Sequence, residues 1–170
     1  AILVTGKLGA SAAGLAVLEN PKLASATAYS ERLVTEHKRP SPRVPEAREA
    51  ARLGAKAMED ISDGLASEIA HICETSGVGA EVFADSVPIS PGVEEIASAL
   101  GKEPLDLALY GGEDYELVFT APPESIEAIK GAIGELGVAV TEVGRITEKR
   151  EIALVKGERK LPLPERGYAH

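Results

Sequence analysis

The pattern of apolar and polar positions predicts short strands and helices that alternate irregularly along the chain. Strands are expected where short apolar or alternating runs end at Gly, Pro or charged residues, at 2–5, 80–87, 115–120, 138–146 and 151–155. A turn at "VKGERK" then leads into a last short strand at Leu161. Helices are expected where apolar residues recur at three- and four-residue spacing, at 11–18, 29–36, 46–57, 65–75, 93–100, 104–110 and 124–136.

This irregular order predicts an α+β fold with a mixed β-sheet covered by helices, since a strict β–α alternation would give a parallel sheet. A chain of 170 residues is long enough for one domain with a buried core. The sequence shows no repeat and no linker, and we therefore expect a single α/β domain over residues 1–170. The chain begins without Met and directly with the apolar run "AILVTG", which we interpret as the sign of a fragment whose N-terminal part is missing.

Composition and charge limit the kinds of molecule that this protein is expected to bind. The net charge is −9, with nine Lys/Arg against five Asp/Glu over residues 1–57 and nine against 22 over the remainder. Such an acidic chain argues against a nucleic-acid partner. No apolar run has the length of a membrane span, so no membrane association is expected. Cys73 is the only cysteine, which excludes an intramolecular disulfide and fits a reducing cytoplasm.

The segment "DISDGL" crowds Asp60, Ser62 and Asp63 in front of a predicted helix. One interpretation is helix capping, in which Asp60 or Ser62 accepts hydrogen bonds from unpaired backbone N–H groups. The other is a metal–phosphate site, in which Asp60 and Asp63 hold Mg²⁺ and Ser62 bonds a phosphate oxygen. Carboxylates alone would repel a phosphate at a helix N-terminus, whereas a bound Mg²⁺ reverses that effect.

The segment "GGEDYEL" is the second dense group of acids. Gly111 and Gly112 permit a tight turn and a close approach of a ligand to the backbone. Glu113 and Asp114 then precede a strand whose Leu117 is expected to point inward. The segment is either an exposed acidic turn or a ligand contact, with Glu113 facing a cationic group.

Two further segments have both a structural and a functional interpretation. In "VTGKLGASAAG" a strand, glycines and a helix start resemble a phosphate-binding loop. The glycines match neither the dinucleotide fingerprint nor the Walker A spacing, however, and we expect them to allow close packing of a helix on the sheet. The basic segment "HKRPSPR" either complements a helix C-terminus or binds an anion. His71 is expected on a polar helix surface, and the sequence shows no metal-binding pattern of Cys and His.

Five segments, in this order, resemble the thiamine-monophosphate kinases of the aminoimidazole ribonucleotide synthetase superfamily: "VTGKLGASAAGL", "HKRPSPR", "DISDGL", "GGEDYELVF" and a terminal "GYAH". The resemblance covers nearly the whole chain. It implies the C-terminal domain of the aminoimidazole ribonucleotide synthetase-like fold. It also implies that an N-terminal domain, which binds ATP and forms a homodimer, is absent from this chain.

The resemblance further implies a cytoplasmic enzyme that phosphorylates thiamine monophosphate to thiamine diphosphate with ATP and Mg²⁺. Asp60 and Asp63 would bind Mg²⁺, Ser62 would contact ATP, and Glu113 and Tyr168 would contact the substrate. No catalytic nucleophile is implied, and the 170 residues alone are expected to be inactive. In the family's terminal motif an Asp is common where Ala169 stands, and a Phe follows the His with which this chain ends.

Two alternatives stay open at this point. The chain could belong to another ATP-dependent enzyme of the same superfamily, of the synthetase or hydrogenase-maturation type. It could also be a non-catalytic domain that binds a small molecule or serves in assembly.

Overall fold

The computed structural model describes residues 1–164 and forms one mixed sheet of seven strands within that range. The strands are β1 Ile2–Thr5, β2 Ala57–Asp60, β3 Gly79–Phe83, β4 Leu117–Thr120, β5 Val140–Thr147, β6 Ile152–Lys156 and β7 Arg159–Pro162. They run in the spatial order β2-β4-β1-β5-β3-β6-β7, and all neighbours are antiparallel except the parallel pair β3 and β6.

The seven α-helices of the described range are α1 Ala10–Glu19, α2 Ser30–Lys38, α3 Val44–Arg52, α4 Leu65–Ser76, α5 Val93–Leu100, α6 Pro104–Tyr110 and α7 Ile126–Glu135. Both faces of the sheet are covered by helices. Leu65 and Ile69 of α4 pack with Ile2 and Val4 of β1 on one face, whereas Ile129 of α7 packs on the opposite face. The predicted α+β fold with a mixed, helix-covered sheet is confirmed.

The strand β2 lies where the sequence predicted the end of a helix, so the predicted helix at 46–57 is wrong at its C-terminal end. The helix α3 ends at Arg52, and Gly54 takes a φ of 107°, which is accessible to glycine and strained for other residues. The chain then turns back, and Ala57–Asp60 pairs with Leu117–Thr120. This segment becomes a strand because it pairs with another strand about 60 residues away in the sequence. The local pattern of apolar residues gives no indication of that pairing.

Three other predicted strands differ from the structure by two residues or more, and one of them, predicted at 138–146, begins at Val140. The strand predicted at 80–87 stops at Phe83, because Ala84–Ser86 forms a 3-10 turn. The one predicted at 115–120 begins two residues later, at Leu117, because Tyr115 has a positive φ. The turn at "VKGERK" is confirmed, since Lys156 pairs with Arg159 across a two-residue turn and β7 includes Leu161.

The glycines of "VTGKLGASAAG" serve packing, as one of the two interpretations predicted, but mainly between helices. A Cβ on Gly14 of α1 would lie 2.2 Å from the carbonyl oxygen of Leu33 in α2. The expected contact with the sheet is therefore replaced at this position by a backbone contact between α1 and α2. No atom larger than hydrogen fits there without moving one helix.

Candidate functional site

The two acidic segments lie side by side, because the pairing of β2 with β4 continues beyond the strands. Asp60 is opposite Leu117 in the ladder. Beyond it, the backbone N–H of Ile61 donates to the carbonyl of Glu116 over 2.7 Å. The N–H of Glu113 then donates to the carbonyl of Ser62, also over 2.7 Å. Backbone bonds thus hold "DISDGL" against "GGEDYEL".

The phenol of Tyr115 lies close to three carboxylates of this site. The charge of Glu113 is the main cause that raises the pKa of the Tyr115 phenol, followed by partial burial and a hydrogen bond with the Glu113 side chain. Asp60 and Asp63 raise it further. All three carboxylates therefore lie close enough to act on one phenol, and an ionised phenol would be a fourth negative charge among them.

The turn in front of α4 is shaped by a glycine. Gly64 is the N-cap residue of α4 and takes a φ of 107°. A Cβ on this residue would lie 2.8 Å from the carbonyl oxygen of Leu109 at the end of α6. The turn can therefore approach α6 only with a glycine at this position.

The capping interpretation of Asp60 and Ser62 is wrong. The N-cap residue is Gly64, and its position carries no side-chain capping bond. Glu68, in the first turn of α4, reaches back instead, and its Oε1 accepts from the N–H of Asp63 at 2.9 Å. The hydroxyl of Ser62 lies 3.5 Å from the same oxygen, at the limit of a hydrogen bond.

Glu113 and Tyr115 have unusual backbone conformations, with φ values of 69° and 50°. They are the two non-glycine residues with positive φ in the part of the chain that the structure describes. This region costs a side-chain-bearing residue about 1–2 kcal/mol. Such strain is concentrated at functional sites, where the surrounding structure enforces it.

Asp114, between these two residues, is one of the groups that hold the segment in place. Its Oδ2 accepts from the N–H of Gly9 at 2.7 Å, and its Oδ1 accepts from the N–H of Ser11 at 3.0 Å. The carboxylate therefore satisfies free N–H groups at the start of α1. Burial raises the pKa of Asp114 to about 7, although the two N–H groups oppose this effect.

Glu116 is the second group that holds the segment. Arg43 donates to its Oε2 from Nε at 2.8 Å and to its Oε1 from Nη2 at 2.6 Å. The buried hydroxyl of Thr5 also donates to Oε2, at 2.6 Å. Hydrogen bonding and the charge of Glu116 raise the pKa of Arg43 against partial burial.

The basic segment "HKRPSPR" is thus largely explained by structural roles. Arg43 is held by Glu116, and the Nδ1 of His37 lies 2.8 Å from the hydroxyl of Ser11. His37 and Lys38 occupy the last turn of α2, where positive charge complements the helix dipole. The helix C-terminus interpretation therefore fits His37 and Lys38, and the anion-binding interpretation stays a prediction.

A third acidic group lies next to the first two and includes a histidine. Glu59 of β2 and Glu68 and His71 of α4 place one ligand atom each within 4.8 Å of one another. Partial burial, and then the neighbouring carboxylate of Glu68, raise the pKa of Glu59. Partial burial opposes protonation of His71, but Glu68 and Glu59 outweigh it and raise the pKa of the imidazole.

An open cleft of about 580 Å³ lies beside the acidic segments. Its walls are mainly apolar and come from α1, from α6 and from the end of α5. The charged or titratable groups of its lining are Glu19, His37, Lys102, Asp106, Tyr110 and Glu113. Its size suits a small organic molecule, since such sites are mostly apolar with a few polar groups.

The structure brings four of the predicted site residues together. Asp60 is exposed at the end of β2, and Ser62, Asp63 and Glu113 are partly exposed. Tyr168 lies outside the described residues. Sequence reasoning did not find the supporting roles of Asp114, Glu116, Arg43 and Glu68, since their partners lie far along the chain or in an unexpected register. A close inspection of "SEIAH" could have found Glu68 and His71, which share a helix face.

Comparison with known proteins places these features in a wider group. Thiamine-monophosphate kinase of Salmonella typhimurium is 40% identical over 170 residues, which are 99% of this chain and 51% of that protein. The crystal structure of thiamine-monophosphate kinase from Stenotrophomonas maltophilia K279a matches with a TM-score of 0.80 at 37% identity, over 90% of this chain and 49% of that one. The structure of AaThiL complexed with AMPPCP and TMP matches with a TM-score of 0.79 at 32% identity, over 99% and 50%.

The chain therefore spans about half the length of the curated relatives it matches. Within residues 1–164, no helix combines the length and the apolar character needed to cross a membrane. The family model described as AIR synthase related protein, C-terminal domain, matches residues 1–157. With the mixed, helix-covered sheet and the paired acidic segments, this match shows that the chain belongs to the AIR synthase related protein family and represents its C-terminal domain.

Proposed function

We propose that this chain is the C-terminal part of a kinase that transfers a phosphoryl group from ATP to thiamine monophosphate and forms thiamine diphosphate. One observation carries the proposal: the bond from the N–H of Glu113 to the carbonyl of Ser62 holds the two acidic segments side by side, so that the charges of Asp60, Asp63 and Glu113 all act on the Tyr115 phenol. The named function of the relatives, at 32–40% identity over nearly the whole chain, gives independent support.

In this proposal Asp60 and Asp63 hold Mg²⁺. Their carboxylate oxygens are the ligands that Mg²⁺ prefers, and with Glu113 they raise the pKa of the Tyr115 phenol. Bound Mg²⁺ supplies charge neutralisation for the phosphates of donor and acceptor. Ser62, partly exposed in the turn before α4, donates its hydroxyl to a phosphate oxygen of ATP.

Glu113 contacts the acceptor in this proposal. Its carboxylate lies beside an apolar cleft, an arrangement suited to a cationic aromatic ring such as thiazolium. Tyr168 is the second proposed substrate contact. Phosphoryl transfer requires that donor and acceptor are positioned and that the charge of the transition state is stabilised, so no nucleophilic side chain of the protein is needed.

The full site is proposed to need residues beyond this chain. A further domain would bind ATP and form a homodimer, and the 170 residues alone would not turn over substrate. The buried thiol of Cys73 suits a reducing compartment, and we propose the cytoplasm.

The decisive experiment uses the full-length protein, with ATP and Mg²⁺, and compares thiamine monophosphate with the acceptors of related synthetases. We expect thiamine diphosphate as the product and no product without Mg²⁺. ATP consumption with another acceptor only would contradict the proposed substrate. A melting temperature that Mg²⁺ and nucleotide leave unchanged would contradict a nucleotide-binding enzyme altogether, because a ligand of the native state must stabilise it.

A further inference from the structure

Three metal-ligating side chains converge between β2 and α4, next to the acidic segments but on different residues. Glu59 lies on β2, and Glu68 and His71 lie three positions apart on α4. The Nδ1 of His71 is 3.2 Å from Oε2 of Glu68 and 3.4 Å from Oε2 of Glu59. One imidazole nitrogen therefore faces two carboxylate oxygens at once.

These separations match the edges of a tetrahedral metal site. Zn²⁺ binds imidazole nitrogen and carboxylate oxygen at about 2.0–2.2 Å, so two ligands of a tetrahedron lie about 3.4 Å apart. Both distances from Nδ1 are close to that value, and all three ligand atoms lie within 4.8 Å of one another. A Glu-x-x-His pair on one helix is also a known arrangement for holding metals, because residues three apart share a helix face.

The buried member of the group is held in position by a second contact. The Glu68 side chain is 5% exposed, and its Oε1 accepts from the N–H of Asp63 at 2.9 Å. Its Oε2 is thereby turned toward His71 and Glu59. Glu59 and His71 are 34% and 44% exposed, so an ion can reach the group from solvent without any rearrangement of the core.

We propose that Glu59, Glu68 and His71 form a Zn²⁺ site, separate from the Mg²⁺ ligands Asp60 and Asp63. Two carboxylates and one imidazole bind Zn²⁺ as three protein ligands and leave the fourth position to water. Mg²⁺ is a poor competitor, because it favours all-oxygen octahedral coordination. A bound ion would hold the Glu68 side chain in place. Because Glu68 accepts a hydrogen bond from the N–H of Asp63, the ion would also stabilise the "DISDGL" turn. The proposal does not depend on kinase activity.

The test measures metal binding to the full-length protein after treatment with EDTA. Titration calorimetry with ZnCl₂, in the presence of millimolar Mg²⁺, should give one site per chain. Co²⁺ should add visible absorption of a tetrahedral nitrogen–oxygen site. Glu59→Gln and His71→Gln change partly exposed side chains, and each should weaken Zn²⁺ binding by at least about tenfold. Thermal melting confirms that both variants fold.

His37→Gln is the matched control, because His37 bonds Ser11 on α1 and lies outside the group. It should bind Zn²⁺ as the unchanged protein does. Equal Zn²⁺ affinity of the unchanged protein and His71→Gln would overturn the proposal and leave the three side chains as an ion-pair cluster. Loss of binding in Asp60→Asn alone would also overturn it, since the ion would then sit in the neighbouring site.

Discussion

The backbone N–H of Glu113 donates to the carbonyl oxygen of Ser62 over 2.7 Å, and this bond joins two segments that lie 51 positions apart in the sequence. It forms while Glu113 holds a φ of 69°. The local conformation is unfavourable, so the long-range bonds of its neighbours must maintain it. Asp114 and Glu116 supply those bonds, to α1 and to Arg43.

Comparison of two variants at position 113 separates this strain from the role of the carboxylate. Glu113→Gly relieves the strain at positive φ and Glu113→Ala does not, so the glycine variant should be more stable by about 1 kcal/mol. Both variants lose the carboxylate, and both should raise the KM for thiamine monophosphate about tenfold or more in the full-length protein. Urea unfolding and steady-state kinetics measure the two effects. An alanine variant as stable as the glycine variant would show that the strain is absent.

Replacement of a proposed Mg²⁺ ligand should separate activity from stability. Asp60 is exposed at the end of β2, so Asp60→Asn should change the melting temperature of the full-length protein only slightly. Its kinase rate should fall about 100-fold or more, because charge stabilisation of the transferred group is lost. Asp85→Asn, at another exposed aspartate, is the control and should keep both properties. Parallel loss of rate and stability in Asp60→Asn would indicate a structural role.

Local patterns predicted those elements whose stability comes from their own sequence. The helix at Leu65–Ser76 has an apolar face and ends at Gly77, and its predicted range differs by one residue. The edge strand Ala57–Asp60 was missed, because only its pairing with Leu117–Thr120 makes it a strand. Strand order was equally inaccessible, since no periodicity reports which strands become neighbours.

The candidate site divides in the same way. Asp60, Ser62, Asp63 and Glu113 stand in short, recognisable motifs. Arg43 and Glu116 are 73 positions apart, and the local sequence around neither residue indicates that the two form an ion pair. The sequence reveals the groups that face a ligand because they cluster locally. The groups that support them are distributed along the chain and come together only in the fold.

The Arg43–Glu116 pair should contribute strongly to stability, because it is bidentate and its carboxylate is buried. Arg43→Ala leaves Glu116 without the guanidinium and should lower the free energy of unfolding by about 3–5 kcal/mol. Arg43→Lys keeps the positive charge but cannot form the two parallel hydrogen bonds, and it should lower the free energy of unfolding by less. Chemical denaturation measures both changes. Arg52→Ala removes an exposed ion pair with Glu49 and should leave stability nearly unchanged. Equal stability of Arg43→Ala and Arg52→Ala would contradict this account.

Gly14 should be intolerant of any side chain, because its Cα faces the backbone of α2. Gly14→Ala would place a methyl group 2.2 Å from the carbonyl oxygen of Leu33 and should lower the free energy of unfolding by about 3 kcal/mol. Gly134→Ala is the control, since this helical glycine of α7 has open space around it. Its substitution should stabilise by about 0.5–1 kcal/mol. Thermal unfolding of both variants checks whether the two changes in stability have opposite signs. An unchanged stability of Gly14→Ala would mean that α1 and α2 can move apart at little cost in free energy.

Asp114 should make the stability of the protein depend on pH between about 4 and 7. Burial raises the pKa of this carboxyl from 3.8 to about 7, so in this range the native state holds a proton that the unfolded state has lost. The stabilising contribution is complete below pH 3.8 and is lost as the pH rises to about 7. In this range the free energy of unfolding should fall by up to about 1.4 kcal/mol per pH unit.

Asp114→Asn, which cannot ionise, should lack this part of the pH dependence, whereas the exposed control Asp85→Asn should retain it. Urea unfolding at several pH values between 4 and 8 gives the three curves. Parallel curves for the unchanged protein and Asp114→Asn would mean that the native carboxyl ionises at its ordinary pKa. In that case the N–H groups of Gly9 and Ser11 outweigh the cost of burial, and the start of α1 is held by a full negative charge at neutral pH.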